Sequence, residues 1–208
     1  MKLTKKMLLN LTGGGGGVAY GPEQTLTLQP DNTAGLDVYI DSSNSTTNYD
    51  FLDYFRVDSK SLADKGVRIL IKFDVSSIPS NALIISAILT LVLKDVSGSN
   101  TLNLHEATTD WVESQATWNI AKTGTNWTAI GGDFSAEVVA SQVFSESNFE
   151  QSVQSSVEAW VAGTRTNYGW LGKVLDEVSG NTNWRFHTSN HATETNRPKL
   201  EVVYKVPL

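Results

Sequence analysis

The sequence predicts an all-β fold, an antiparallel two-sheet β-sandwich (jelly roll) with one short helix and an N-terminal extended arm. The first observation behind this prediction is a series of short segments that alternate apolar and polar residues or are rich in β-branched residues. The second is the recurrence of Gly, Asn, Asp and Ser clusters between these segments, which is typical of turns. The third is the length of connections such as residues 110–134, which suits a jelly roll better than simple hairpins.

The clearest strand is GVRILIKFDV, whose apolar side chains fall on one face: Val67, Ile69, Ile71 and Phe73. Arg68 and Lys72 fall on the other, so we expect that face to be exposed to solvent. Residues 84–93 are apolar on both sides, which indicates a central strand. The remaining predicted strands are TLTLQ, DVYID, TLNLH, EVVASQVF, YGWLGKVL, NWRFHTS and KLEVVYKV.

One segment, SVQSSVEAWVAG, has the period of a helix instead. Its apolar residues follow a spacing of i, i+4, i+7 and i+8: Val153, Val157, Trp160 and Val161. Gly163 occupies the position where a glycine commonly follows the end of a helix. The pattern therefore predicts one short helix.

The chain divides near Gly21 into an arm, residues 1–21 with the glycine hinge Gly13–Gly17, and a sandwich domain, residues 22–208. We expect the arm to dock on another protein through basic and apolar side chains: Lys5, Lys6, Met7, Leu8, Leu9 and Leu11. The alternative is a leader, although the apolar block is shorter than the roughly 7 to 15 residues of a signal peptide. The longest apolar run, residues 82–93, falls short of the roughly 20 residues of a membrane span.

Composition and motifs argue against several functional classes. The net charge of −6 comes without a long Lys/Arg cluster, so we expect no nucleic-acid partner. The absence of cysteine excludes disulfides, thiolate metal sites and a thiol nucleophile. No nucleophile elbow, P-loop or zinc-protease motif occurs, and the acidic pairs Asp110/Glu113 and Asp133/Glu137 lie on turns. We therefore predict that the protein is not an enzyme.

Six segments occur in an order that is recognisable: RILIKFDVSSIP, SAILTL, TTDWVESQATWN, WTAIGGDF, VEAWVAGTRTNYGWL and RPKLEVVY. In this order, over residues 29–204, the chain resembles the DNRLRE-type (disaggregatase-related) domain, also classed as carbohydrate-binding module family 96. The resemblance implies a jelly-roll sandwich without catalytic activity. It also implies a module usually appended to secreted proteins, of which some bind acidic polysaccharides.

The chain has six tryptophans, and their surroundings suggest two roles. Four are predicted to be structural, with the indoles of TTDWVESQATWN closing the end of the sandwich: Trp111, Trp118, Trp160 and Trp170. Trp127 and Trp184 lie among glycines and polar residues, where an exposed indole could stack on a sugar ring. Arg165 and Arg185 are the cations we place with them, since arginine suits sugar carboxylates. These four residues form the predicted carbohydrate site.

The sequence predicts no cofactor, with a structural calcium ion as the one alternative. His187 and His191 have a zinc-like spacing, but their segment reads as a strand end and a turn rather than a helix. Asp31, Asp37 and Asp41 flank the first predicted strands and supply the oxygen ligands that calcium prefers.

Two functional hypotheses remain. The first is a non-enzymatic structural protein of a larger assembly, a phage virion component of the capsid-decoration or fibre type. Its arm would dock on a scaffold or capsid protein, and its sandwich would project from the virion surface towards cell-surface glycans. The alternative is a carbohydrate-binding module secreted by a bacterium. A homo-oligomer is compatible with either hypothesis, and the sequence does not select a symmetry.

Overall fold

The computed structural model describes residues 18–60 and 66–208. The first half of this part contains seven strands: β1 Gln24–Leu28, β2 Leu36–Asp41, β3 Tyr54–Ser59, β4 Gly66–Lys72, β5 Leu83–Leu91, β6 Leu93–Ser97 and β7 Thr101–Glu106. The second half contains another seven: β8 Ile120–Lys122, β9 Thr125–Asn126, β10 Ala140–Val143, β11 Phe149–Ser152, β12 Trp170–Val174, β13 Thr182–His187 and β14 Lys199–Lys205. A helix, α1 Gln154–Val161, and two short 3-10 helices, Ser42–Asn44 and Glu194–Asn196, complete the elements.

The strands build two main antiparallel sheets. The smaller has the order β1-β14-β5-β11, and the larger has the order β10-β7-β12-β4-β3-β13-β6 with β2 also paired to β4. Strands β8 and β9 form a separate short hairpin. Sequence-distant neighbours such as β1 and β14 are the mark of long crossing connections. The predicted all-β sandwich is confirmed.

The main hydrophobic core lies between the two sheets. The larger sheet contributes the inward side chains of alternating residues, among them Val67, Ile69 and Ile71 of β4. The smaller sheet contributes Leu89 and Leu91 of β5, both fully buried. Helix α1 closes one end of this core through its buried face: Ser156, Val157, Trp160 and Val161. The helix ends before Gly163, which has φ +69°, so the predicted helix and its glycine are confirmed.

A second apolar cluster covers the outer face of the larger sheet. It forms between sheet residues and the covering loop, residues 107–139, and comprises Val38, Ile40, Leu70, Trp111, Ala116, Trp118, Ala121, Trp127 and Leu171. Leu70 is 0% exposed, although it projects from the face of β4 that the alternation predicted to be exposed to solvent. That prediction is wrong because the covering loop shields this face from water. Trp111 and Trp118 are buried as predicted, but they cover a sheet face rather than the sandwich end.

Hydrogen bonds fix the covering loop to the sandwich. The indole Nε1 of Trp111 donates to the carbonyl oxygen of Tyr168 at 2.8 Å. The side chain of Asn48 donates to two loop carbonyl oxygens, those of Glu113 and Ala116, at 2.6 and 2.8 Å. Buried indole and amide groups rarely go without such partners, so these bonds define the position of the loop.

The beginning of the described chain pairs with its end. Tyr20 bridges to Pro207, and the N–H of Gly21 donates to the carbonyl oxygen of Val206 at 2.9 Å. The predicted docking residues of the arm all fall within residues 1–17, outside the described part. Within residues 18–60 and 66–208, no helix has the length and apolarity that crossing a membrane requires.

Candidate functional site

A polar groove lies at one edge of the larger sheet, where β3, β13 and β6 run side by side. Its volume is about 610 Å³, within the usual range of small-molecule sites. We define the polar groove by its lining residues: Ser43, Asp58, Ser59, Lys60, Asp95, Ser97, Asn181, Thr182, Asn183 and Arg185. No aromatic or aliphatic side chain belongs to this set.

The alternation of side chains along the strands directs the central groove residues away from the core. In β13, Trp184 and Phe186 are fully buried in the core, while Asn183 and Arg185 project to the opposite face. The strand register aligns them with residues of β3 and β6 in two rows: Arg56, Arg185 and Asp95 in one, Asp58, Asn183 and Ser97 in the other. Directly opposed residues of neighbouring strands point to the same face, so these six side chains form one polar surface.

Asp41 is the centre of an ion-pair network beside the groove. It is 1% exposed, and it receives Lys60 Nζ at 2.9 Å and Arg56 Nη2 at 3.2 Å. Arg56 also pairs with Asp58, with 3.3 Å between Nη1 and Oδ2. Burial works against ionisation of Asp41, but the hydrogen bonds from Lys60 and Ser43 prevail and lower its pKa. The network therefore holds Lys60 and Arg56 in place.

Asp58 and Arg185 face the groove more directly. Burial raises the pKa of the Asp58 carboxyl, although the neighbouring Arg56 and Lys60 oppose the rise. Arg185 pairs with Asp95 across the strands, with 3.4 Å between Nη1 and Oδ2. Its guanidinium also lies 5.6 Å from the ring centre of Tyr54. Both side chains are thus held by neighbours rather than free to rotate.

Polar atoms beneath the groove have hydrogen-bonding capacity left over. Asp58 Oδ1, Asn183 Oδ1 and Arg185 Nε are buried and have no hydrogen-bond partner among the described residues. Most buried polar atoms in proteins are paired, so unpaired ones that gather at a cavity make that cavity a candidate binding site. Arg56 Nε, on the same sheet face as Arg185, is a fourth such atom.

A second depression lies on the outer face of the smaller sheet. It measures about 420 Å³ and is lined by Gln29, Ile88, Thr90, Val92, Asn148, Glu150, Thr195, Arg197, Lys199 and Glu201. Its described lining residues contribute no buried, unpaired side-chain atom. The polar groove is therefore the stronger candidate, and the second depression supplies control positions.

The predicted exposure of two tryptophans is wrong. Trp127 is 4% exposed, belongs to the cluster under the covering loop, and donates its indole N–H to the carbonyl oxygen of Thr117 at 2.8 Å. Trp184 is 0% exposed and packs in the main core between Phe144 and Phe186. Both lie in polar sequence surroundings, but strand alternation and the loop turn the indoles inward. Neither ring presents a face to a sugar.

The two predicted arginines are in different places. Arg185 lines the polar groove, as described above. Arg165 follows α1, where it donates to the carbonyl oxygen of Ser155 at 2.7 Å and pairs with Glu106 at 3.2 Å. The structure therefore does not bring together the four residues predicted to form one carbohydrate site.

The three aspartates predicted to hold calcium do not converge either. Asp31 caps its own turn through Thr33, and Asp41 is neutralised by Lys60 and Arg56. Asp37 is buried at 2% exposure, and its Oδ2 accepts the N–H of Ser189 at 2.9 Å. Among the residues described, no three His, Asp or Glu side chains are grouped as metal ligands would be.

Sequence reasoning missed most of the groove. Asp58, Lys60 and Asp95 carry no motif, and β3 and β6 were not among the predicted strands. The available signal was the alternation in YFRVDSK, where Tyr54, Arg56, Asp58 and Lys60 share a face. That pattern indicates a charged strand face, but only the register with β13 and β6 shows that the faces join.

Comparison with known proteins agrees with the fold. The family model for carbohydrate-binding module family 96 matches residues 28–204, nearly the whole of the sandwich. No curated protein matches the chain significantly. The match spans the same segments whose order is described above, from β1 to β14. The chain belongs to carbohydrate-binding module family 96.

Proposed function

We propose that this carbohydrate-binding domain holds its glycan in the polar groove between β3, β13 and β6. The observation that carries the proposal is a set of buried polar atoms, at Asp58, Asn183 and Arg185, that have no partner within the described part of the chain. A glycan offers hydroxyl groups that both donate and accept hydrogen bonds, so it can supply partners for these donor and acceptor atoms.

The groove side chains are suited to hydroxyl recognition. The carboxylates of Asp58 and Asp95 accept hydrogen bonds, and the amide of Asn183 both donates and accepts. Arg185 donates from a guanidinium whose direction is fixed by Asp95 and Tyr54. Because the side chains are ordered before the ligand arrives, binding costs less conformational entropy.

The test is glycan binding by Asn183→Ala, measured by affinity electrophoresis against a panel of soluble polysaccharides. Loss of the amide should weaken binding by about 10-fold, since a hydrogen bond within a charged site contributes roughly 1.5 kcal/mol. The matched control is Lys199→Ala in the second depression, which should bind as the wild type does. Thermal unfolding of both variants establishes that they are folded. Unchanged affinity in Asn183→Ala, or an equal loss in Lys199→Ala, would place the glycan elsewhere.

The finer role predicted from the sequence, a virion surface protein that docks through its arm, stays a prediction, as does the non-enzymatic character. Carbohydrate-binding modules are generally non-catalytic, which supports the latter. The docking role depends on residues 1–17. It predicts that the full chain assembles or binds a scaffold protein while a chain starting at Gly21 remains monomeric. Light scattering after size-exclusion chromatography compares the two chains, and identical masses would exclude self-assembly through the arm.

A further inference from the structure

The described residues that line the polar groove carry balanced charges. Its lining has two cations, Lys60 and Arg185, and two carboxylates, Asp58 and Asp95. The neighbouring Arg56 and Asp41, beside the groove, add one charge of each sign. A site built for an anionic polymer would carry an excess of arginine or lysine, because these residues pair with sugar carboxylates.

Each groove cation already has a carboxylate partner within the protein. Lys60 pairs with Asp41 at 2.9 Å and also donates to Ser43 Oγ at 3.0 Å. Arg185 pairs with Asp95 at 3.4 Å. A uronate carboxylate could use the N–H groups of Arg185 that Asp95 leaves free only by lying close to the Asp95 carboxylate. Repulsion between like charges in a partly buried site disfavours that arrangement.

The lining also lacks a stacking platform. None of the ten lining residues is aromatic, and the nearby ring of Tyr54 is flanked by the cations of Arg185 and Lys94 at 5.6 and 5.1 Å. A sugar held here is recognised through its hydroxyl edge and not through the apolar face of its ring. Ion-paired Asp and Arg side chains alternate acceptors and donors along this edge, which matches the alternating capacity of neighbouring hydroxyl groups.

We propose that the polar groove selects an uncharged, hydroxyl-rich glycan and discriminates against polyuronates. The proposal rests on the proposed function, since it names the ligand class of that same groove. It departs from the acidic polysaccharides that the family resemblance implies, because both cations among the described lining residues have carboxylate partners.

The experiment compares the full chain on neutral and anionic polysaccharides at about 20 mM and about 200 mM NaCl. The neutral probes are galactomannan, xylan, laminarin and dextran, and the anionic probes are polygalacturonate and polymannuronate. We expect at least one neutral probe to bind about 10-fold more tightly than either polyuronate, with less than about a 2-fold change between the two salt concentrations. Tighter, salt-sensitive binding of a polyuronate that Asn183→Ala weakens would overturn this inference and leave the proposed function standing. Binding of no probe would overturn the proposed function itself.

A charge variant tests the discrimination separately. Asp95→Asn removes the partner of Arg185 and gives the groove lining an excess of one positive charge. We expect its affinity for polygalacturonate to rise about 5-fold at low salt, because a freed guanidinium binds carboxylates. Glu201→Gln makes the same change of net charge in the second depression and should leave polygalacturonate affinity unaltered. Equal affinities for wild type and Asp95→Asn would show that the carboxylates are not what excludes uronates.

Discussion

Glu113 fastens the covering loop to β2, and its burial predicts how stability depends on pH. Glu113 Oε1 accepts the backbone N–H of Asp37 at 2.8 Å. Burial raises the pKa of Glu113 to about 7, with the charges of Asp37 and Asp50 adding to the rise. Burial likewise raises the pKa of Asp37 to about 6. These two carboxyl groups therefore keep their protons in the folded protein at pH values where they ionise in the unfolded chain.

The sign of the effect follows from proton binding. Between about pH 4 and pH 7 the folded state holds protons that the unfolded state has released, so stability decreases as pH rises. For Glu113 alone, the rise in pKa corresponds to a loss of about 3 kcal/mol in the free energy of unfolding as the pH rises through this range. Because its side chain is only partly buried, we reduce this expected loss to about 1.5 kcal/mol.

The variant Glu113→Gln keeps the oxygen that accepts the Asp37 N–H but cannot ionise. We expect it to be about 1.5 kcal/mol more stable than the wild type at pH 8 and nearly equal at pH 4. Urea denaturation at pH 4, 5, 6, 7 and 8 measures both curves, with Glu201→Gln as an exposed-carboxylate control. A difference between Glu113→Gln and wild type that is the same at every pH would refute the reasoning.

Two further substitutions test the packing. Trp184→Ala should lower the free energy of unfolding by about 3 to 5 kcal/mol, because the indole is fully buried in the main core. Urea denaturation measures this loss. A variant of normal stability that fails to bind glycan would show instead that Trp184 belongs to the binding site. Arg68→Lys should cost about 2 kcal/mol in the same assay, because the guanidinium makes two bonds to Glu177, a third to Gly131 and lies over the Trp118 ring. Equal stability of Arg68→Lys and wild type would show that the hydrogen bonds of the Arg68 guanidinium do not hold the covering loop.

Local sequence patterns were sufficient for the sandwich, α1 and most of the strands, because alternation and helical spacing are direct consequences of backbone geometry. They were insufficient wherever a distant segment determines burial. Leu70 lies under the covering loop, which joins β7 to β10, and no periodicity in β4 indicates that loop. Trp127 belongs to the loop and turns towards the sheet. The groove was missed for a related reason. Asp58 and Asn183 are separated by more than a hundred residues, and only strand register makes them neighbours.

The alternation of β3 and β13 has an evolutionary consequence. Val57, Trp184 and Phe186 belong to the main core, whereas no residue that lines the polar groove belongs to either apolar cluster. Substitutions on the outward face can therefore accumulate with little effect on the packed interior. Relatives that retain the same inward residues could carry quite different outward ones, and so recognise different sugars on one unchanged scaffold.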